Sequence, residues 1–343
     1  TAVKIAPVYE HGTVHVKDAA RATGVVGTLL SDDRRDEFVQ QNREEQVRAL
    51  AEFEGATKRR ALIPYGDAMA SREKFDWARV DIPEPEFTGV RVLTDFPISD
   101  LVDSIDWGPF FHTWELRGSY PKIFNDPQKG VEARKLFDDA QAMLREAIGG
   151  GWLKAQAVYG FFPANSDGDD IVVYEDESRQ LEYVRLHMLR QQQEKRSGGP
   201  YWSLADYIAP CDSKRADYVG GFAVTAGVGA DAKAEAFKEA LDDYNAIMVQ
   251  SLADRLAEAF AEHLHAIARK DWGYGQVEGL SHEDLIREKY RGIRPAPGYP
   301  ACPDHTEKRT LFDLLNVEKE TGIRLTENFA MFPGASVSGW YFA

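Results

Sequence analysis

Residues 294–305, RPAPGYPACPDH, contain four prolines and restrict the fold more than any other stretch of this 343-residue chain. Proline fixes φ and has no backbone N–H, so this segment can be neither the interior of a helix nor a central strand. It is apolar and aromatic, and it lies between two helix-like patterns at 281–293 and 308–322. We call residues 294–305 the proline strip and expect a stiff, extended backbone there.

The proline strip carries groups that suit a ligand. Prolines preset its backbone at little entropic cost, which leaves the carbonyls of Ala296 and Pro297 and the N–H of Tyr299 free. Gly298 permits close approach, and Arg294 offers a planar fork for a carboxylate. The strip therefore suits a flat, polar ligand bearing a carboxylate. A structural crossover packed on the core is the alternative interpretation of the same residues.

Composition narrows the class of protein. The net charge of −15 argues against a nucleic-acid partner, because phosphate contacts need basic patches. No apolar run reaches membrane-spanning length, and no signal peptide is recognisable, so no membrane partner is expected. Cys211 and Cys302 are too few for a disulfide framework and predict free thiols in a cytoplasmic protein. Thr1 opens the chain inside a strand-like stretch, which predicts a piece of a longer protein.

The first fifty residues have the pattern of an incomplete domain. Residues 2–7 and 13–17 predict two short strands, and 18–32 predicts a helix capped by Asp18. A charged helix then continues as a connecting arm. Because two strands and a helix cannot bury their own faces, residues 1–50 are interpreted as a partial βα remnant of an open α/β (Rossmann-like) domain.

Residues 51–97 show little periodicity and predict a linker and wrapping strap. From residue 98 a second domain is expected. Its predicted segments are a short helix with an aromatic cluster at 96–116, two strands with a polar turn at 155–176, and strand-like runs at 199–210 and 216–227. Strands followed by helices, without regular alternation, predict an α+β domain with an antiparallel sheet and long helices.

The longest periodic pattern predicts a single helix over residues 231–270, about ten turns at ~3.6 residues each. Its apolar stripe consists of Phe237, Leu241, Tyr244, Met248, Leu252, Leu256, Phe260, Leu264 and Ile267.

Three acids, Asp254, Glu258 and Glu262, share one face of this predicted helix and are interpreted as a solvated acidic face or a cation site. Glu262 with His265 resembles half of a carboxylate-bridged metal site. The second Glu-x-x-His pair that such a site needs is absent from the sequence.

Six longer motifs carry a resemblance. They lie at 105–114 (IDWGPFF with TW), 160–171 (GFFPAN with GDDI), 204–210 (LADYIAP), 242–262 (DDYNAIMVQSLADRLAEAFAE), 292–308 (GIRPAPGYPACPDHTEK) and 329–342 (FAMFPGASVSGWYF). With these motifs, residues 98–343 resemble the C-terminal activation domain of the cobalamin-dependent methionine synthases. Residues 1–50, through DAARATGVVGTLLSD, resemble the tail of that family's cobalamin-binding domain.

The resemblance implies a methyltransferase module in methionine biosynthesis. It would bind S-adenosylmethionine between the proline strip and the long helix, for reductive methylation of cob(II)alamin back to methylcobalamin. The implied partners are the cobalamin-binding domain of the same enzyme and flavodoxin or a similar reductase. The alternative is a non-catalytic interaction module that positions flavodoxin and the cobalamin domain.

The resemblance also implies site residues. Those expected around S-adenosylmethionine are Asp106, Glu258, Arg294, Ala296 and Tyr299, with Glu288 close by. Ala19 is the residual cobalamin contact, and Asp254 is expected to meet the cobalamin-ligating histidine.

Some family features are missing from this sequence. The Asp-x-His-x-x-Gly motif and the homocysteine, zinc and folate domains are absent, so cobalamin is expected to be bound mainly outside this chain. The chain alone is not expected to complete methionine formation. It also stops before the family's adjacent tyrosines, so its final strand is expected to lack a partner.

Overall fold

The computed structural model of the chain divides into two units. One comprises residues 1–71 with 192–200, and the other comprises 72–191 with 201–343. Within them, the structure describes residues 1–9, 11–16, 19–58, 61–195, 198–276, 279–280, 284 and 289–343. The predicted helix cap Asp18 and the predicted ligand neighbour Glu288 lie outside the described residues.

The first unit is helical where it is regular. Its helices are α1 (Ala19–Leu29), α2 (Arg35–Lys58) and α3 (Tyr65–Ala70). The predicted helix within 18–32 and the charged helix after it are confirmed. Leu62 and Gln193 form an antiparallel bridge that ties residues 192–200 to this unit.

The two predicted N-terminal strands are wrong. Within 1–9 the backbone closes on itself in turns, where the Ile5 N–H donates to the Thr1 carbonyl at 3.0 Å. Residues 11–16 form no strand either, and the Thr13 carbonyl accepts from the side chains of Asn42 and Gln46. A strand is stable only when a neighbouring strand takes its backbone hydrogen bonds, and here turns and side chains take them instead.

The second unit is built on an antiparallel sheet. Its order is β4-β3-β2-β5-β8, with β1 also paired to β2. The six strands are β1 (Gly89–Phe96), β2 (Lys154–Asp167), β3 (Asp170–Tyr174), β4 (Glu182–His187), β5 (Asp217–Val228) and β8 (Ser336–Tyr341); β6 (Arg324–Leu325) and β7 (Met331–Phe332) form a separate pair.

Helices cover both faces of this sheet. They are α4 (Ser99–Val102), α5 (Trp107–Thr113), α6 (Gly130–Gly150), α7 (Ala230–Glu239), α8 (Asp243–Asp271), α9 (Glu307–Leu315) and α10 (Val317–Thr321). On one face Tyr159 and Phe222 pack with α8, and on the other Val158 and Ala223 pack with α9 and α10. Alternate residues of a strand point to opposite faces, so both faces of β2 and β5 are buried. The predicted α+β class is confirmed.

The predicted single helix over 231–270 is two helices, and the prediction is wrong at residues 240–242. Leu241 has a φ of 59° and a 92% exposed side chain, so it leaves the apolar stripe. The Asp242 carboxylate accepts from the Asn245 N–H at 3.0 Å and caps α8. A capping carboxylate requires a non-helical backbone at its own position, which explains the break.

Three other predictions about the second unit are wrong. The strand-like run at 199–210 contains a 3₁₀ turn, Leu204–Tyr207, because Ser203 and Asp206 form a capping box around it. Strand β1, in the segment predicted to lack periodicity, was missed because its burial does not alternate. The last strand was expected to lack a partner, but β8 pairs with β5 from Ser336–Thr225 to Tyr341–Gly220. Of the helices in the described part of the chain, none is long and apolar enough to span a membrane.

Replacing Asp242 by alanine removes the cap of α8. We expect D242A to lower the free energy of unfolding by about 1 kcal/mol, the usual value for a lost N-cap. Chemical denaturation measures this loss. The control is E239A at the exposed end of α7, which is expected to change the free energy by less than about 0.5 kcal/mol. Equal effects of the two substitutions would contradict the capping role.

Candidate functional site

The proline strip begins as an extended edge beside β8. The Trp340 N–H donates to the Pro295 carbonyl at 2.8 Å, and Ile293 and Phe342 exchange both backbone hydrogen bonds. A proline in this position only has to accept, so its missing N–H costs nothing. The expected extended backbone is therefore found at the start of the strip, where it places Arg294 next to the sheet.

The second half of the strip is a tight turn. The Gly298 N–H donates to the Cys302 carbonyl at 2.7 Å, and the Tyr299 N–H donates to the Ala296 carbonyl at 3.3 Å. The Ala296 carbonyl and the Tyr299 N–H, which were both expected to be free for a ligand, therefore form a hydrogen bond with each other. Gly298 has a φ of 101°, and a Cβ there would lie 2.2 Å from the His305 ring. The close approach that Gly298 permits is made by His305.

Arg294 is held by the long helix α8. Its Nη2 donates to Oε2 of Glu262 at 2.5 Å, and the two side chains are only 23% and 19% exposed. Burial by itself would lower the pKa of Arg294, but Glu262 and Tyr290 raise it above its ordinary value. The guanidinium therefore stays charged in a partly buried position.

Glu262, His265, Arg294 and Tyr341 form a group that we call the Arg294 cluster. The His265 ring is 1% exposed and stacks on Tyr341 with centroids 5.1 Å apart. Burial, with the charges of two neighbouring arginines, lowers the pKa of His265 to about 2, so the imidazole is neutral. Oε1 of Glu262, Nε of Arg294, both ring nitrogens of His265 and the hydroxyl of Tyr341 are buried without hydrogen-bond partners among the described residues. Buried polar atoms are usually hydrogen-bonded, so this group of unpaired atoms calls for an explanation.

A cavity of about 510 Å³ opens at the first half of the strip. Its wall includes Arg294 and Pro295 from the strip, and also Trp202 and Tyr207, of which Tyr207 is the last residue of the 3₁₀ turn Leu204–Tyr207. The Trp202 and Tyr207 rings are stacked, with centroids 5.4 Å apart and planes at 19°. Small-molecule sites in proteins commonly have ~300–1,000 Å³ of volume and combine apolar walls with few polar groups.

The other residues expected at the ligand are spread more widely. Asp106 is exposed and caps α5, accepting from the Gly108 N–H at 2.9 Å. Glu258 is exposed on α8, one turn before Glu262, while Ala296 is half-buried and Tyr299 is 65% exposed in the strip. Of the five, Arg294 is the one that lines the 510 Å³ cavity, counting only residues that the structure describes.

The two residues expected to face cobalamin lie elsewhere. Ala19 is the first residue of α1, in the first unit, and its side chain is outside the described part. Asp254, on α8, lines a smaller cavity of about 240 Å³ together with Asp231 and residues 333–335. Burial, with the negative charges of Glu258 and Asp231, raises the pKa of Asp254, whereas Arg255 opposes the shift.

The other chemistries considered for the site have little support. The Glu262 carboxylate is paired with the Arg294 guanidinium, and a fixed positive charge beside the Glu-x-x-His pair disfavours a metal cation there. Among the described residues, no three His, Cys, Asp or Glu side chains come together as a metal site. Burial raises the pKa of Cys302 to about 12, so its thiol stays protonated.

Comparison with known proteins agrees with this architecture. Residues 97–343 match the family described as "Vitamin B12 dependent methionine synthase, activation domain", and the chain belongs to that family. A solved structure titled "Crystal Structure of the MetH Reactivation Domain bound to AdoHcy" is 53% identical in sequence. The match has a TM-score of 0.80 and covers 82% of this chain and 86% of that chain.

Sequence reasoning missed two features of the site. Glu262 was interpreted as a solvated acid or half of a metal site, although its place one turn after Glu258 puts it on the same helix face. Trp202 and Tyr207 were assigned to a strand, which would have pointed these two residues, five apart, to opposite faces. The 3₁₀ turn that ends at Tyr207 reverses this arrangement and brings the two rings into a stack.

Substituting Gly298 tests whether the turn of the strip shapes the site. We expect G298A to destabilise the domain, because the new methyl group would clash with His305 and alanine disfavours this φ. Ligand binding at Arg294 should weaken as the strip shifts. G334A is the matched control, since a Cβ at Gly334 meets nothing within 4 Å. Thermal melts of both variants measure the difference, and equal melting temperatures would show that the turn tolerates a side chain.

Proposed function

We propose that this domain binds S-adenosylmethionine and presents it for reductive methylation of cob(II)alamin to methylcobalamin. Membership of the activation-domain family and the relative whose title names bound AdoHcy support the proposal. AdoHcy is S-adenosylmethionine without the transferred methyl group. The observation that carries the proposal is Arg294, a charged guanidinium at the wall of a cavity beside the proline strip.

The chemistry of the ligand fits these residues. S-adenosylmethionine has a carboxylate, an ammonium, a sulfonium and a flat purine. Arg294 would donate to the carboxylate, and charge-assisted pairs of this kind are among the stronger hydrogen bonds. The exposed acids Asp106 and Glu258 would attract the cationic parts. Ala296 and Tyr299 would lie alongside, with the exposed Tyr299 ring offering a flat surface.

In this mechanism the chain binds and positions the methyl donor. A fixed guanidinium orients the amino-acid end, and an orientation fixed in advance saves entropy in the reaction. Cobalamin, bound mainly by its own domain, would supply the centre that accepts the methyl group. An electron from flavodoxin or a similar reductase balances the transfer, and AdoHcy is the other product.

The remaining assignments follow from the resemblance and are proposed with it. Residues 1–50 would be the tail of the cobalamin-binding domain and 98–343 the activation domain. Residues 51–97 would be a linker and strap whose last part supplies β1 to the sheet. Ala19 would contact cobalamin, and Asp254 would accept from its displaced histidine ligand. A cytoplasmic location is supported by two free thiols, Cys211 and Cys302. A purely positioning module is less well supported, because the solved relative is titled as bound to AdoHcy.

Substitution of Arg294 is the direct test. A bidentate charge-assisted pair is worth ~1.5–3 kcal/mol, so R294A should weaken S-adenosylmethionine binding about tenfold or more. R294K should recover only part of this, since lysine lacks the planar fork. Calorimetric titration gives the affinities, and thermal melts confirm folding. R291A, which loses an exposed pair with Asp81, is the control. Unchanged affinity in a folded R294A would refute the assignment.

Amide replacement of the two exposed acids tests the cationic end. D106N should keep the cap of α5, because asparagine caps as well as aspartate, so the variant isolates the charge. We expect D106N and E258Q each to weaken the binding of S-adenosylmethionine. The same variants should weaken the binding of a neutral analogue, which lacks both the sulfonium and the ammonium, by less. The same titrations measure both ligands. Equal losses for the two ligands would indicate packing rather than charge.

A further inference from the structure

Glu262 and Arg294 each use only part of their hydrogen-bonding capacity on one another. Oε2 of Glu262 accepts from Nη2 of Arg294, while Oε1 of Glu262 is buried with no hydrogen-bond partner among the described residues. Nε of Arg294 is likewise buried with no hydrogen-bond partner among the described residues. The ion pair therefore retains one unused acceptor and one unused donor in the Arg294 cluster.

The charges of this pair are poorly screened. Both side chains are more than three-quarters buried, and charges interact more strongly there than in water. His265 and Tyr341, which pack on the pair, add no charge, because burial lowers the pKa of His265 and raises that of Tyr341. A bare anion arriving at Arg294 would be attracted by the guanidinium and repelled by Glu262. A carboxylate that carries its own cation would escape this repulsion.

We propose that Glu262 is a specificity-determining residue, which makes the Arg294 site select a zwitterionic α-amino acid group over a bare anion. Arg294 donates to the ligand carboxylate, and Glu262 accepts from the α-ammonium. The inference rests on the proposed function and deepens it, because it assigns the ammonium of S-adenosylmethionine to one acid of the site. Glu262 takes the ammonium, and the exposed acids Asp106 and Glu258 are left for the sulfonium and ribose end.

The test compares two ligands on the same protein. One is S-adenosylmethionine, and the other is its analogue with hydrogen in place of the α-ammonium, which keeps the carboxylate, sulfonium and adenosyl groups. The quantity measured is the ratio of their dissociation constants in the full chain. The variants are E262Q, which keeps an acceptor for Arg294 but removes the charge, E258Q, and the control E235Q in an exposed pair with Lys238.

The wild-type chain should prefer S-adenosylmethionine at least tenfold. E262Q should reduce that preference at least fivefold, because it should weaken the binding of S-adenosylmethionine and strengthen the binding of the deaminated analogue. E258Q and E235Q should leave the ratio within twofold. If E262Q does not fold, the double variant E262Q/R294Q replaces it, because removing both charges leaves no buried ion unpaired. That variant should bind both ligands alike.

Four outcomes would overturn the inference. They are no preference in the wild type, an unchanged ratio in folded E262Q, a ratio that shifts in E258Q instead, and a double variant that still prefers S-adenosylmethionine. These results differ from failure of the proposed function, in which the wild-type chain binds neither ligand. If R294A weakens S-adenosylmethionine while E262Q leaves the ratio unchanged, the proposed function stands and only the role of Glu262 is lost.

Discussion

The site depends on the position of β8 between two backbones. On one side β8 pairs with β5, and on the other its end pairs with the start of the proline strip through Trp340 and Phe342. Gly339 lets the strip approach, since a Cβ there would lie 2.6 Å from the Pro295 carbonyl. A side chain at Gly339 would push the strip outward and move Arg294 with it. The placement of the cationic group is thus set by backbone hydrogen bonds.

The Glu262–Arg294 pair then joins this edge to α8. A pair with little exposure has a large desolvation cost, so it is weak evidence that the pair is there for stability. The unpaired polar atoms around it agree with this interpretation, because a cluster selected for stability alone would leave fewer of them. The structure therefore places an incompletely satisfied cluster next to a cavity, and Arg294 is the member of the cluster that lines the cavity wall.

Regular features of the fold could be predicted from the sequence, because local patterns determine them. The apolar stripe of α8, the strand β5 and the α+β class followed from periodicity and from the order of segments. The break at Leu241 did not, because its side chain fits the stripe while the Asp242 cap overrides it. Strands at 2–7 failed for a different reason, since strand pairing depends on partners that no local pattern reveals.

The site was harder to predict, because its contacts join residues far apart in sequence. Arg294 was identified from its place in the strip, but Glu262 is 32 residues away and was interpreted through its own helix. The same limit applied to His305, whose ring lies against Gly298 and takes the space that was expected to admit a ligand. Chemical type could be predicted from the residues, whereas the partner of each group required the fold.

The two interpretations of the proline strip turn out to describe different halves of it. Arg294 lies with His265 and Tyr341, whose ring belongs to the α8 face of the sheet, whereas Cys302 is buried in the α9 face. The strip therefore crosses the edge of the sheet at β8 and links its two cores. Because prolines fix this crossover, the half that carries Arg294 inherits a rigid position from the half that packs. A binding residue held in this way needs no ordering when the ligand arrives, which lowers the entropic cost of binding.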